Sequence, residues 1–234
     1  MGAVFKREFR AFFTSPVGYV VLAALGFFAG LFFYAANILG LSSDLSPVFS
    51  SMFTFILMIL PLVTMRLLSD EKRQKTDQAL LTSPVSLTGI VLGKYFAALA
   101  VYLITLGITL IYLIVLAIHG EPAYAQILCN YFGFALLGAA FISIGIFISS
   151  LTENQATSAV STFAVLLLLF IIDWVGGAVS NAFFVRVIDF ISITKRFQDF
   201  QMGVLNVAPI VYYVSFVAMF LILTATVLER RRVN

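Results

Sequence analysis

The sequence predicts an all-α integral membrane protein with six transmembrane helices, and three observations carry that class. Residues 17–39, 45–65, 95–118, 122–152, 154–172 and 200–228 form six stretches without a charged side chain. Each is long enough for the helix of about 20 residues that crosses roughly 30 Å of hydrocarbon, where only backbones that satisfy their own hydrogen bonds persist. The composition is 62% hydrophobic and 11% charged, more apolar than a soluble domain of 234 residues requires. The third observation is where the charges fall. With both termini inside, eleven of the fourteen Lys and Arg lie on the cytoplasmic side, leaving Arg186, Lys195 and Arg196 outside. That bias is the one expected of an even number of spans. The net charge of +3 therefore marks topology and argues against a nucleic-acid partner. No remaining segment is long enough for a second domain, so residues 1–234 read as one transmembrane domain.

The elements follow in chain order. Val4, Phe5, Phe9, Phe12 and Phe13 share a helical face, with Lys6, Arg7 and Arg10 on others. Residues 2–15 are predicted to form an amphipathic helix in the inner membrane interface. Ser15-Pro16 then turns the chain into the bilayer. The first span carries Gly26 and Gly30, a small-residue seam open to a second copy or to a helix of the same chain. Pro61 removes a backbone donor and is expected to bend the second span. Residues 69–88 begin with a polar run, Ser69 to Gln78, and continue through Leu80 and Leu81 to Ser83-Pro84. They are predicted to form a short cytoplasmic helix, which composition alone explains as a solvated loop. Residues 152–155 form a short cytoplasmic turn. Residues 176–206 are too charged to span and too apolar for a free loop. Phe183, Phe184, Val187, Ile188 and Ile191 share one helical face, so one or two external helices dipping into the outer leaflet are predicted.

Chemistry is sparse. The run Gly89 to Tyr95 superficially resembles a phosphate loop, but it has three residues between its glycines and Tyr95 after Lys94. The phosphate-binding pattern needs four residues there and a hydroxyl after the lysine. No ATP site is expected. The one histidine, His119, cannot build a metal site of the usual kind. Cys129 is the one cysteine, so an intrachain disulfide or thiolate cluster is excluded. Asp173, beside Trp174, falls near the outer headgroups and not at the midplane. A proton-coupled carrier would need buried ionisable groups that these stretches do not supply. Any pumping needs an external energy source.

Four segments carry a family resemblance: residues 5–17, 71–95, 148–156 and 191–232. The second, EKRQKTDQALLTSPVSLTGIVLGKY, and the fourth, beginning ISITKRFQDFQMGVLN and ending Leu228-Glu229-Arg230-Arg231-Arg232, are the more specific. Together they resemble the permease subunit of a type-2 ABC transporter, and within it the gliding-motility-type (GldF-like) branch. Where that family has Arg-x-Gly-Thr followed by Leu-Glu, this chain has Arg73-Gln74-Lys75-Thr76-Asp77-Gln78, with the acid shifted by one position. The resemblance implies a permease in the inner (plasma) membrane, paired with a second permease copy or homologue. Cytosolic ABC ATPase subunits would bind ATP and Mg, and this chain would hold no cofactor. It also implies that residues 69–88 are a coupling helix. Asp70, Glu71, Arg73, Thr76, Asp77, Leu80, Leu81 and Glu153 would face the ATPase. Phe183, Phe184, Phe190 and Phe197 would gate the outer exit for an exported substrate. Two other classes are compatible: a non-transporting mechanotransmitter or scaffold driven by an ABC ATPase, and a small channel or intramembrane enzyme acting without one.

Overall fold

The computed structural model describes residues 1–75, 86–176, 188 and 192–233, with side chains of 173–176 and 233 outside that description. The described residues are 87% helical, without a strand among them. Ten helices occur there: α1 (Gly2–Thr14), α2 (Pro16–Phe33, continued by a π-helical segment Tyr34–Leu39), α3 (Ser46–Thr64), α4 (Arg66–Arg73), α5 (Leu87–Ile108), α6 (Leu110–His119), α7 (Tyr124–Leu151), α8 (Gln155–Gly176), α9 (Ile193–Gln201) and α10 (Val207–Val233). Among the described residues, six stretches are long and apolar enough to cross a membrane: Pro16–Leu39, Ser46–Arg73, Leu87–His119, Tyr124–Leu151, Gln155–Ile172 and Val207–Arg232. An even number of crossings puts both chain ends at one end of the bundle, called here the terminal end.

Four boundaries differ from the charge-free stretches by more than two residues. The second span continues beyond Met65 as α4, the third starts at Leu87 and so includes Lys94, and the sixth starts at Val207 and runs on to Arg232. Charge limits a helix within a bilayer only where the charge is unpaired, and Lys94 is paired, as described below. Phe200 belongs to α9, which folds back onto α7.

The centre of the bundle is α7, with 78% of its spanning window buried, against 17% for α8 and 11% for α10. Lipid tails are as apolar as leucine, so helices associate here through close packing and interhelical hydrogen bonds. Both are present. A side chain at Gly145 of α7 would collide with Thr64 at the end of α3. On the same helix, Phe134 receives Phe49 edge-on at 5.2 Å, and its carbonyl accepts from Tyr102 Oη of α5 at 2.8 Å. The seam at Gly30 closes within the chain: its missing Cβ leaves room for Tyr112 Oη of α6, which donates to the Gly26 carbonyl at 3.2 Å.

Opposite the terminal end, neutral polar groups fasten α9. Gln126 Nε2 of α7 donates to Ser46 Oγ at 3.1 Å and to the Gln201 carbonyl at 3.0 Å. Gln201 Nε2 donates to Ser50 Oγ at 2.8 Å, and Tyr213 Oη of α10 to the Ile193 carbonyl at 2.8 Å. Phe197 and Phe200 are buried between these contacts.

Candidate functional site

The candidate site is the polar junction at the terminal end, where α1, α4, α5 and the end of α7 meet. It begins with a backbone problem. The helix of the second span breaks at Met65, four residues beyond Pro61, and restarts as α4. A restarting helix leaves its first N–H groups without intrahelical acceptors. Ser149 of α7 answers both sides of the break. Its Oγ accepts from Leu68 N and Ser69 N, each at 3.1 Å, and donates to the Met65 carbonyl at 3.1 Å. Lys72 Nζ, on the next turn, donates to the Ser150 carbonyl. α4 is thereby held alongside the turn that carries Glu153, and Arg66 Nη1 ties its start to Ser15 Oγ at 2.7 Å.

The second part is an ion-pair hub. Lys94 of α5 is only 1% exposed. An isolated ammonium there would be prohibitively costly. Its Nζ donates to the Leu67 carbonyl at 2.6 Å and to Glu8 Oε1 of α1 at 3.1 Å, and lies 2.9 Å from Glu71 Oε1 of α4. Arg7 closes the hub from the surface, with Nη2 2.6 Å from Glu8 Oε1 and 2.5 Å from Glu71 Oε1. Two cations and two carboxylates thus join three helices. Burial alone would raise the Glu8 carboxyl; Lys94 and Arg7 more than offset it and hold Glu8 below its ordinary value. For the Arg7 guanidinium, burial works downward, and the paired carboxylates hold it above its ordinary value.

Packing brings α1 close enough for this. At Gly93, one residue before Lys94, an added Cβ would lie 2.9 Å from Val4 Cβ, so α1 fits against α5 only because that position has no side chain. The glycine and lysine that resembled a phosphate loop are therefore occupied by α1. Phe5, Phe9 and Phe13 run along α1 with ring centroids 5.7 and 5.1 Å apart. No three of His, Cys, Asp and Glu converge as a metal group among the described residues.

The residues singled out from sequence separate by position. Glu71 is in the hub, joined to Arg7, Glu8 and Lys94. Asp70 is half-buried and accepts from Gln74 Nε2 at 3.2 Å. Arg73 and Glu153 are exposed. Phe197 is buried, its ring 5.8 Å from Phe134. Thr76, Asp77, Leu80, Leu81, Phe183, Phe184 and Phe190 lie outside the described residues, as does the side chain of Asp173. Sequence reasoning missed Glu8, Ser149 and the burial of Lys94. A weak signal existed for the first and last, because Glu8 is the one acid of α1 and Lys94 sits seven residues inside the third span.

Comparison with known proteins finds the sequence pattern of the ABC-2 family transporter proteins across residues 3–232. No curated protein matches the chain.

Proposed function

The chain belongs to the ABC-2 family of transporter proteins, and from that premise we propose that this permease subunit works as a dimer, coupling ATP hydrolysis on separate cytosolic subunits to export of a substrate through the cell membrane. In this reading the terminal end is cytoplasmic, α1 lies at the inner interface, and ATP with its Mg is held by the partner. The gliding-motility-type branch, indicated by residues 71–95 and 191–232, belongs to the same proposal.

The observation that carries the coupling is the junction of α4. This helix leaves the second span already fastened to α1 and α5 through Glu71, and to α7 through Ser149 and Lys72. Its far end presents Arg73 to solvent. A force applied there cannot move α4 alone, because separating Glu71 from Lys94 would strand a buried charge. α1, α4 and the adjacent ends of α5 and α7 therefore shift as one body. ATP binding closes the ATPase pair against residues 70–81 and Glu153, and the shift opens or closes the path at the permease seam as a two-state change.

The division of labour is testable in proteoliposomes with the ATP-hydrolysing partner. Arg73→Ala and Glu153→Ala are expected to lower permease-stimulated ATP hydrolysis about tenfold, the effect of losing one charge-assisted contact. Their thermal unfolding should stay at the wild-type temperature. Wild-type hydrolysis in both variants would remove this surface from the coupling role.

A further inference from the structure

The ion-pair hub uses only one side of α1, and three contacts fix how that helix lies. Arg7 and Glu8 join it to α4 and α5. Val4 fills the space that Gly93 of α5 leaves open. At Gly18, in the first turn of α2, an added Cβ would lie 2.5 Å from the Phe12 carbonyl oxygen. α1 therefore folds sharply against the start of the first span. Held in this way before any partner arrives, it needs little further ordering to bind one.

Two ridges of α1 lie outside these contacts. Phe5, Phe9 and Phe13, one helical turn apart, are half-buried. Their row continues past the end of α1, where the Phe13 ring meets Tyr19 edge-on with centroids 5.9 Å apart. Tyr19 belongs to the first span and is 59% exposed. An exposed tyrosine in the first turn of a spanning helix sits at headgroup level, its ring toward the acyl chains. The continuous row thus fixes α1 at the depth of the lipid surface. Lys6 and Arg10 follow Phe5 and Phe9 by one position each and stand one turn apart on the neighbouring ridge. Both are exposed. Among the described residues neither has a carboxylate at salt-bridge distance, because Glu8 and Glu71 are engaged by Arg7 and Lys94.

We infer that the Lys6–Arg10 ridge is a docking surface for anionic phospholipid, with phosphate-bearing heads on the two cations and acyl chains along the phenylalanine row. Basic and aromatic ridges side by side match the two halves of a lipid. A head of net negative charge keeps its full attraction for the pair, whereas a zwitterionic head brings a cation that opposes it. Each of the two side chains is expected to contribute about a fivefold preference. The lipid then bears on the coupling junction, since Arg7 and Glu8 of the same helix hold Glu71 and Lys94. That the leaflet is the cytoplasmic one rests on the orientation proposed above. The docking does not, because symmetric vesicles offer the same lipid to both ends of the bundle.

The test uses the full chain in phosphatidylcholine vesicles with a trace of photoactivatable lipid, its diazirine near the carbonyl end of one acyl chain. Two probes are compared, one with a phosphatidylglycerol head and one with a phosphatidylcholine head. The first should label residues 2–14 about tenfold more than the second. Both should label α8, which carries no Lys or Arg, equally. Replacing Lys6 and Arg10 together by Gln should bring the α1 ratio down to that of α8. The charge-retaining pair Lys6→Arg and Arg10→Lys should keep it. Arg231→Gln with Arg232→Gln, which removes the same charge from the same end of the bundle, should also keep it. Equal labelling of α1 by the two probes would overturn the proposal and leave the ridge to an acidic protein surface. So would a preference that survives loss of both cations, or one that falls equally with Arg231 and Arg232.

Discussion

At the scale of single residues, the decisive feature is a lysine that sequence reading assigns to topology and the fold assigns to cohesion. Lys94 is buried, and its charge is carried by Glu8, Glu71 and the Leu67 carbonyl. Removing one partner from such a group is costly, roughly 3 kcal/mol or more, because the other is left buried and unpaired. Glu8 makes the hub sensitive to acid. A carboxylate held below its ordinary value contributes stability that is fully present above that value and lost as the pH falls through the folded one. The attachment of α1 should therefore be constant from neutral pH down to the ordinary carboxylate range, about pH 4, and weaken below it. Limited proteolysis of α1 in detergent across pH reads this directly. Glu8→Gln should flatten the acid limb while raising cleavage at neutral pH. An unchanged acid limb in that variant would assign it to another group.

At the scale of elements, the break between α3 and α4 is held from outside by Ser149. One hydroxyl serves two amides and one carbonyl; the carbonyl also accepts from Ser69 Oγ, so Ser149→Ala takes the acceptor from the Leu68 and Ser69 amides at once. The expected loss is about 1–3 kcal/mol. It should appear as faster hydrogen exchange at Leu68 and Ser69, with α10 unaffected. Exchange at wild-type rates would mean that α3 and α4 hold their geometry without α7. Pro61 and Met65 place the break, whereas Ser149 and the absent side chain at Gly145 decide how closely it is clamped. At the other end, α9 is clamped to α3 and α7 by Gln126 and Gln201. The bundle thus carries a polar fastening at each end, ionic at one and neutral at the other.

At the scale of the whole molecule, α7 is the buried axis and α8 and α10 present most of their surface outward. The assignment of the terminal end to the cytoplasm rests on charge and is open to direct measurement. Cys129 is the one cysteine and is buried, so a Cys129→Ala background is available for single-cysteine labelling. Lys75→Cys should react with an impermeant maleimide only after cells are opened, and Glu121→Cys should react in intact cells. The reverse pattern would invert the molecule and place the α4 junction out of reach of any cytosolic ATPase. In reconstituted vesicles, stimulated hydrolysis without flux would favour a mechanical transmitter over an exporter.

The number of spans and the all-helical class were legible from local composition, because the bilayer imposes a length and a backbone requirement that each segment meets alone. The resemblance carried by residues 71–95 puts Glu71 and Arg73 in one group expected to face the ATPase. What it could not separate is Glu71, turned into an ion-pair hub, from Arg73, left in solvent, two positions along the same helix. That separation, like the burial of Lys94 and the bridging role of Ser149, depends on partners 23 to 86 residues distant in the chain. Only tertiary structure decided it: a charge is tolerated in an apolar bundle when folding brings its counter-charge within about 3 Å, and the counter-charges of Lys94 lie on other helices.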